Sequence, residues 1–384
     1  GCIPSKIILH SADVAETIKN GKYFGINSKI FSINFKKITS RASSIVDKEG
    51  REIEEAIIED KNTTLFKAEA KFISERTLKV GSEVIKGEKI VIAAGTRPSI
   101  PPIEGLKNVD YMTSDEALRL KKQPKTLTIL GGGYIAAELA HFFCALGTKI
   151  NIIQRSRFLI PNEDEEISKN FTGIFRRKCN VMTEFNATKV SKKRGRFIVI
   201  AEGKKTRKIL ISDQLLIAAG RIPNTDILDV RKANVETEGK GFIKTNGYLE
   251  TTAKNIWALG DIAGRFLFKH SANLEAEYVY NNAILNRKIK VNYDAMPHAI
   301  FSSPQVAGVG LMGQDLRVRK IDYAIGKYHF INSGMGIAMQ DNEGFVKIFA
   351  DRKTRKILGC HILGSQSSIL IHEVVVAMKA GLTT

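Results

Sequence analysis

The stretch from Lys125 to Gly147 constrains this chain more than any other. The run Thr126-Leu127-Thr128-Ile129-Leu130 reads as a strand, Gly131-Gly132-Gly133 as a tight turn, and Tyr134 onward as an apolar helix. A second strand is expected over Lys149–Gln154. That order makes a βαβ unit with a right-handed crossover. Within it, Gly131-x-Gly133-x-x-Ala136 has the form of a dinucleotide fingerprint. The first glycine makes the turn, and the second lets a pyrophosphate approach the backbone. Ala136 permits close helix packing, and the helix N-terminus faces the phosphate. The pattern is weak by itself; its weight comes from the strand before it and the helix after it.

The residue closing the second strand bears on which nucleotide fits. A carboxylate there would hold the ribose of NAD. This chain has Gln154, followed by Arg155 and Arg157. Without the acid a 2′-phosphate is not repelled, and a guanidinium can grip it with two hydrogen bonds. The expectation is therefore NADP in preference to NAD, although arginines that merely face solvent would give the same string.

An internal repeat extends the argument. Lys89-Ile90-Val91-Ile92-Ala93-Ala94-Gly95-Thr96-Arg97-Pro98 matches Gln214-Leu215-Leu216-Ile217-Ala218-Ala219-Gly220-Arg221-Ile222-Pro223. Each copy follows a lysine-rich β meander (71–85 and 189–211), ends a buried strand at glycine and leaves through a proline turn. Two copies of one nucleotide-binding plan are implied. The second copy has its glycine loop at 131–133, whereas none precedes Gly95. The duplication thus leads us to expect a βαβ start of at least roughly 30 residues upstream of Gly1. Past residue 290 the pattern changes to β-like runs over 296–350 and a helix over 366–380, an α+β module.

Composition narrows the class. Of 384 residues, 43% are apolar and 26% charged, an ordinary globular balance. No apolar run is long enough to cross a bilayer, so no membrane partner is expected. The net charge of +19 comes from 59 Lys and Arg against 40 Asp and Glu. It is unaccompanied by a nucleic-acid motif, so we read it as a basic background and not as a nucleic-acid surface. The four cysteines, Cys2, Cys144, Cys179 and Cys360, have the spacing of neither a zinc site nor a disulfide scaffold. No metal is expected, and the low count suits a reducing cytoplasm. Cys144 reads as core, and Cys179 and Cys360 have no visible chemical partner.

Cys2 differs. It stands just ahead of an expected helix over 6–19, whose apolar face is Ile7, Ser11, Val14, Ala15 and Ile18. A helix start and the nearby Lys6 both favour a thiolate there. The string Gly1-Cys2-Ile3-Pro4-Ser5-Lys6 resembles the second half of the redox-active disulfide motif of the pyridine nucleotide–disulfide oxidoreductases. In that family two cysteines are separated by four residues, which would place the first before Gly1. Ile92-Ala93-Ala94-Gly95-Thr96 resembles the family's second FAD-domain motif. Trp257-Ala258-Leu259-Gly260-Asp261 resembles its later flavin motif, where the Asp meets the ribityl chain. Phe268-Lys269-His270-Ser271-Ala272 resembles the start of the helix under the flavin. Met296–Phe301 and Ser303–Gly310 resemble the entry to the dimerisation domain.

The resemblance covers nearly the whole chain in order. It implies two Rossmann-like α/β domains, for FAD and NAD(P), with a C-terminal α+β dimerisation domain. The segments would be 1–120 and 249–290 for FAD, 121–248 for NAD(P) and 291–384 for the interface. Cys2, Lys6 and Glu138 would be catalytic, with Glu138 pairing to Lys6 beside the flavin. Lys6, Ala94, Gly95, Thr96, Gly260, Asp261, Leu267, Phe268, Lys269 and His270 would bind FAD. Gly131, Gly133, Ala136, Glu138, Gln154, Arg155, Arg157, Gly220 and Arg221 would bind NAD(P). His372-Glu373 looks like an acid–base dyad, but adjacent helix residues face different ways. The family's catalytic His–Glu pair lies in a later His-Pro-Thr segment supplied by the partner subunit. None of the seven histidines here matches it.

The expected activity moves electrons between NAD(P)H, FAD and a redox disulfide, in a cytoplasmic homodimer. The expected partner is a small disulfide or dithiol, or a lipoyl domain. Dihydrolipoyl dehydrogenase is the first expectation, as the commonest family member. A reductase of a mycothione- or glutathione-like disulfide and a mercuric reductase are the alternatives. A non-catalytic flavin- or nucleotide-binding protein is the reading of another class. The span Gly1–Thr384 alone is expected to be inactive.

Overall fold

A computed structural model describes all 384 residues. The chain divides into two compact units. The first comprises Gly1–Lys48, Ile100–Gly220 and Asp294–Thr384, and the second Glu49–Ser99 and Arg221–Tyr293.

In the first unit the strands Gln214–Ile217, Thr126–Leu130, Lys149–Gln154 and Asn180–Thr183 lie side by side, all parallel. Ile129, Ile150, Ile152, Ile153 and Ile217 are buried, and they fall on both faces, as crossover helices require. The first crossover is the helix Tyr134–Ala145 and the second is Glu165–Lys178. Phe142, Phe143, Phe171 and Phe175 are fully buried in the core between these helices and the sheet. The lysine-rich meander expected over 189–211 is three-stranded and antiparallel, Asn186–Lys193, Arg196–Glu202 and Arg207–Ser212. Phe197, Val199 and Ala201 point inward from its middle strand, and the lysines and arginines stay on solvated positions.

The helix containing Cys2 runs Cys2–Asn20 and packs on the Tyr134–Ala145 helix. Its buried face is Ser5, Ile8, Leu9, Ala12 and Ala15. Of the face expected from sequence, Ala15 is buried, Ile7, Ser11 and Ile18 are half-buried, and Val14 is 47% exposed. Both stripes have helical spacing. The one with Ser5 and Ala12 wins because small residues let two helices approach closely. Two polar ties fix the pair: His141 Nε2 to Asp13 Oδ1 at 2.9 Å, and Lys19 Nζ to Ala145 O at 2.6 Å. The second tie puts a cation on a helix C-terminus, where the dipole favours it.

The C-terminal part of this unit is a five-stranded antiparallel sheet. Its order is Pro297–Ile300, Gln305–Gly310, Ile357–Gly364, Phe345–Asp351, Tyr323–His329. The helix Ser367–Lys379 covers one face. This is the α+β module expected past residue 290. His372 and Glu373 are both exposed on that helix.

The second unit carries the first copy of the repeat. Its meander is Ala70–Ser74, Thr77–Val80 and Glu83–Lys86. Ile90–Ile92 pairs in parallel with Ile256–Ala258. The two copies of the repeat also meet directly: Thr96–Pro98 pairs antiparallel with Arg221–Pro223, Arg97 opposite Ile222. In both copies the glycine that ends the strand has a left-handed backbone, φ 63° at Gly95 and 122° at Gly220.

Candidate functional site

The glycine loop is built as its spacing implies. Gly131 has φ 117°, and a Cβ there would lie 2.1 Å from Ala218 O. Only glycine satisfies both constraints. Gly133 is the N-cap of the Tyr134–Ala145 helix, makes no side-chain cap and has open space where a Cβ would be. The first N–H groups of this helix are thus left for a ligand, and the dipole favours an anion. Ala136 is fully buried. These are the features a dinucleotide pyrophosphate needs. Gly132 is restricted less severely, by side chains alone: a Cβ would lie 2.7 Å from Leu159 Cδ2 and 3.0 Å from Gln154 Cδ.

That contact reflects the position of Gln154. Its side chain is 6% exposed and folded inward. Oε1 accepts from Arg155 N at 3.0 Å, and Nε2 donates to Phe158 O at 3.4 Å. Gln154 therefore shapes the turn after the strand and offers no free amide to a ribose. Arg155 and Arg157 are exposed, with the Arg157 guanidinium 5.1 Å from the Phe158 ring centre. The charge at this turn is positive, and no carboxylate replaces the missing acid.

Cys2 is exposed and lies in the first turn of its helix rather than ahead of it, with Gly1 as N-cap. Ser5 Oγ donates to Cys2 O at 3.0 Å and pins that turn. One turn on, Lys6 Nζ donates to Glu138 Oε1 and Oε2 at 2.8 and 2.9 Å. The Glu138 side chain is 12% exposed. Phe301 N donates to Glu138 Oε1 at 3.0 Å, and Lys6 Nζ lies 4.4 Å from the Phe301 ring centre. The Lys6–Glu138 pair expected from the resemblance is thus formed across 132 positions of sequence. The role of Phe301 was not foreseen, because a backbone donor leaves no mark in residue type.

A second buried cluster ties the glycine-loop helix to the C-terminal sheet. Tyr134 O–H donates to Glu163 Oε1, and His298 Nε2 meets Glu163 Oε2 at 2.8 Å. Burial would raise the Glu163 carboxyl, but the charge and hydrogen bond of His298 and the Tyr134 bond hold it below the usual range. Beside it, Lys347 Nζ donates to Asp164 Oδ1 at 2.9 Å, and Gly313 N donates to Asp164 Oδ2 at 3.1 Å.

The second unit gathers another part of the expected set. Thr96 Oγ1 donates to Asp261 Oδ2 at 3.0 Å, leaving Asp261 Oδ1 for a ligand hydroxyl. Arg221, expected at the pyridine nucleotide, donates to Thr96: Nε to Oγ1 and Nη2 to O, each at 2.6 Å. The antiparallel pairing of the two repeat copies places it there. Asn224 Nδ2 donates to Ala94 O at 2.8 Å, and Asn224 N donates to Gly95 O at 3.2 Å, holding the Ala94–Gly95 turn. Gly260 has φ 74°, and its N–H donates to the buried Glu275 Oε2 at 2.6 Å. Phe268 is the N-cap of the helix Lys269–Val279, which lacks a side-chain cap. Leu267, Lys269 and His270 are exposed around it, and the Phe268 and His270 rings stack at 5.5 Å. A carboxylate with one free oxygen, tight glycine turns and an uncapped helix fit the sugar and phosphates of FAD.

Comparison with known proteins agrees. Residues 1–299 match the pyridine nucleotide-disulphide oxidoreductase family, and residues 296–384 match the dimerisation domain of the same family. Mycothione reductase of Mycobacterium tuberculosis (strain CDC 1551 / Oshkosh) is 32% identical over 394 residues, covering 100% of this chain and 85% of that protein. Mercuric reductase of Staphylococcus aureus is 31% identical over 384 residues, covering 100% of this chain and 70% of that protein. Among solved structures, the HOCl-induced flavoprotein disulfide reductase RclA from Escherichia coli superposes with a TM-score of 0.86 at 27% identity, covering 100% of this chain and 84% of that one. Family, fold and the geometry around Lys6 and Glu138 converge: the chain belongs to the pyridine nucleotide-disulphide oxidoreductases, flavoproteins that use FAD and NAD(P)H.

Proposed function

We propose that the protein is an NADPH-dependent reductase of a low-molecular-weight disulfide. The net reaction is NADPH + H⁺ + RSSR → NADP⁺ + 2 RSH. The observation that carries the choice of nucleotide is the turn after Lys149–Gln154. Gln154 is turned inward, no acid is present, and Arg155 and Arg157 are exposed. Dihydrolipoyl dehydrogenase, the first expectation from sequence, becomes the second reading. Its frequency in the family favours it, and the basic turn favours the disulfide reductase.

FAD and the pyridine nucleotide supply the two-electron chemistry when bound. The chain's own groups bind, orient and exchange. The N–H groups at the start of the Tyr134–Ala145 helix hold a pyrophosphate, and Arg155 and Arg157 take a 2′-phosphate. Asp261, steadied by Thr96, takes sugar hydroxyls. Cys2, at a helix start, serves as one thiol of the redox pair. Glu138 holds the Lys6 ammonium in place. In this reading residues 1–120 and 249–290 serve FAD, 121–248 the pyridine nucleotide and 291–384 the subunit contact of a homodimer.

The test is a substrate panel on the full-length holoenzyme. Oxidised glutathione, bis-cysteine disulfide, lipoamide and Hg(II) are each assayed with NADPH and NADH. Turnover of a small disulfide with higher kcat/KM for NADPH is the expected result. Lipoamide turnover with NAD-linked kinetics would overturn this reading in favour of the second.

A further inference from the structure

A second pair of thiols lies apart from Cys2. Cys144 is on the last turn of the Tyr134–Ala145 helix and is half-buried; Cys179 closes the Glu165–Lys178 helix and is 8% exposed. They stand 35 positions apart in sequence, yet both belong to one core cluster and line one pocket of about 220 Å³. Cys144 Sγ reaches Lys178 O at 3.5 Å, the carbonyl adjoining Cys179.

The pocket has polar walls. The Cys2–Asn20 helix contributes Glu16 and Lys19, the helix of Cys144 contributes His141, and Lys178 and Ser303 complete the rim. Lys178 Nζ pairs with Glu16 at 2.7 Å and also bonds Ser303 O at 3.0 Å. A thiol that opens to solvent beside a fixed ammonium, with a second thiol behind it, is arranged for exchange and not only for packing.

We propose that Cys144 and Cys179 form a second dithiol/disulfide couple, which exchanges with a low-molecular-weight disulfide in this pocket. The electrostatics agree with the geometry. The neighbouring Cys179 thiol pulls Cys144 below the ordinary cysteine range, and Lys178 and His141 add to this against burial and Glu16. The neighbouring Cys144 thiol and burial push Cys179 up. Cys144 is therefore the attacking sulfur and Cys179 the resolving one. The Cys144 thiolate attacks one sulfur of RSSR; that S–S bond breaks, its electron pair leaves on RS⁻, and a Cys144–SR mixed disulfide forms. Cys179 gives its proton to the departing thiolate and attacks Cys144 Sγ, and the second RS⁻ leaves and takes a proton from water. Two protein thiols are oxidised to one disulfide, and RSSR is reduced to two RSH. This couple does not depend on which substrate Cys2 serves.

The experiment uses the full-length holoenzyme with oxidised glutathione as the probe. Free thiols are alkylated, the protein is digested without reduction, and the peptides are weighed. We expect a peptide pair joined through Cys144 and Cys179, removed by dithiothreitol. Cys179→Ser should stop at a glutathione adduct on Cys144, and Cys144→Ser should abolish both products. In alkylation over a pH series, Cys144 should reach its half-maximal rate below the ordinary cysteine range, and Cys179→Ser should move that midpoint up. A wild-type digest with no linked pair, whether Cys144 carries glutathione or stays unmodified, would overturn the proposal without any variant being needed.

Discussion

Glu138 grips Lys6 with both carboxylate oxygens, at 2.8 and 2.9 Å, and takes the Phe301 N–H at 3.0 Å on one of them. The ammonium also lies over the Phe301 ring. Three separate parts of the first unit are held to one charge pair: the Cys2 helix, the glycine-loop helix and the first strand of the C-terminal sheet. We expect Glu138→Gln to keep the fold but release Lys6. In such sites a displacement of about 1 Å can cost on the order of 10²-fold in rate. Steady-state kinetics should show kcat falling by about that factor with little change in KM. A fall confined to KM would assign the pair to substrate binding instead.

The basic turn after Gln154 makes a prediction about nucleotide choice. Replacing Arg155 and Arg157 by Ala removes charge-assisted hydrogen bonds worth about 1.5–3 kcal/mol each. The NADPH/NADH ratio of kcat/KM should fall by roughly 10²- to 10⁴-fold. The change should appear in NADPH kinetics and leave NADH kinetics nearly unaltered. An unchanged ratio would mean that both arginines only face solvent.

Acid stability should depend on Asp164. Burial would raise its carboxyl, but the hydrogen bond and charge of Lys347 and the Gly313 N–H hold it below the usual range. The unfolded chain thus binds more protons than the folded one on the acid side. The contribution is fully present above an ordinary aspartate pKa of about 4 and is lost as pH falls through the lower folded value. Lys347→Met leaves a buried carboxylate unpaired and should cost about 3–5 kcal/mol near neutrality. Denaturant midpoints measured at several pH values should show that deficit shrinking toward acid. A deficit that stays constant with pH would remove Asp164 from the account.

The C-terminal module should bury an apolar face in a twofold dimer. On the helix Ser367–Lys379, Ile369 is 67% exposed and Val376 is 66% exposed, seven positions apart and so on one side. Ile369→Glu with Val376→Glu should shift the sedimentation coefficient of the full-length protein from dimer towards monomer. A persisting dimer would move the interface elsewhere on the module.

What could be read from sequence was what is local. The Gly131–Ala136 loop was legible because its requirements, a positive φ and close backbone approach, lie within six residues. The repeat was legible as two strands ending at Gly95 and Gly220, but its consequence was not. The antiparallel pairing of the two exits takes Arg221 to Thr96, a contact that neither string announces. Helix periodicity chose the wrong stripe on the Cys2 helix, since two faces share the spacing and only the neighbouring helix decides between them. The Lys6–Glu138 pair came from resemblance alone, because nothing in either residue's neighbourhood names a partner 132 positions away. Cys144 and Cys179 were hidden in the same way, each unremarkable in its own segment.

The central claim is that Cys2 is half of a redox-active pair fed by the pyridine nucleotide. Thiol labelling of the full-length holoenzyme tests it most directly. The protein is labelled with one reagent before anaerobic addition of NADPH and with a mass-distinct reagent after it, and the peptides are then identified. The account predicts that the Cys2 peptide is protected at first and takes up the second label only after NADPH. A Cys2 peptide that carries the first label fully before any reduction would contradict it.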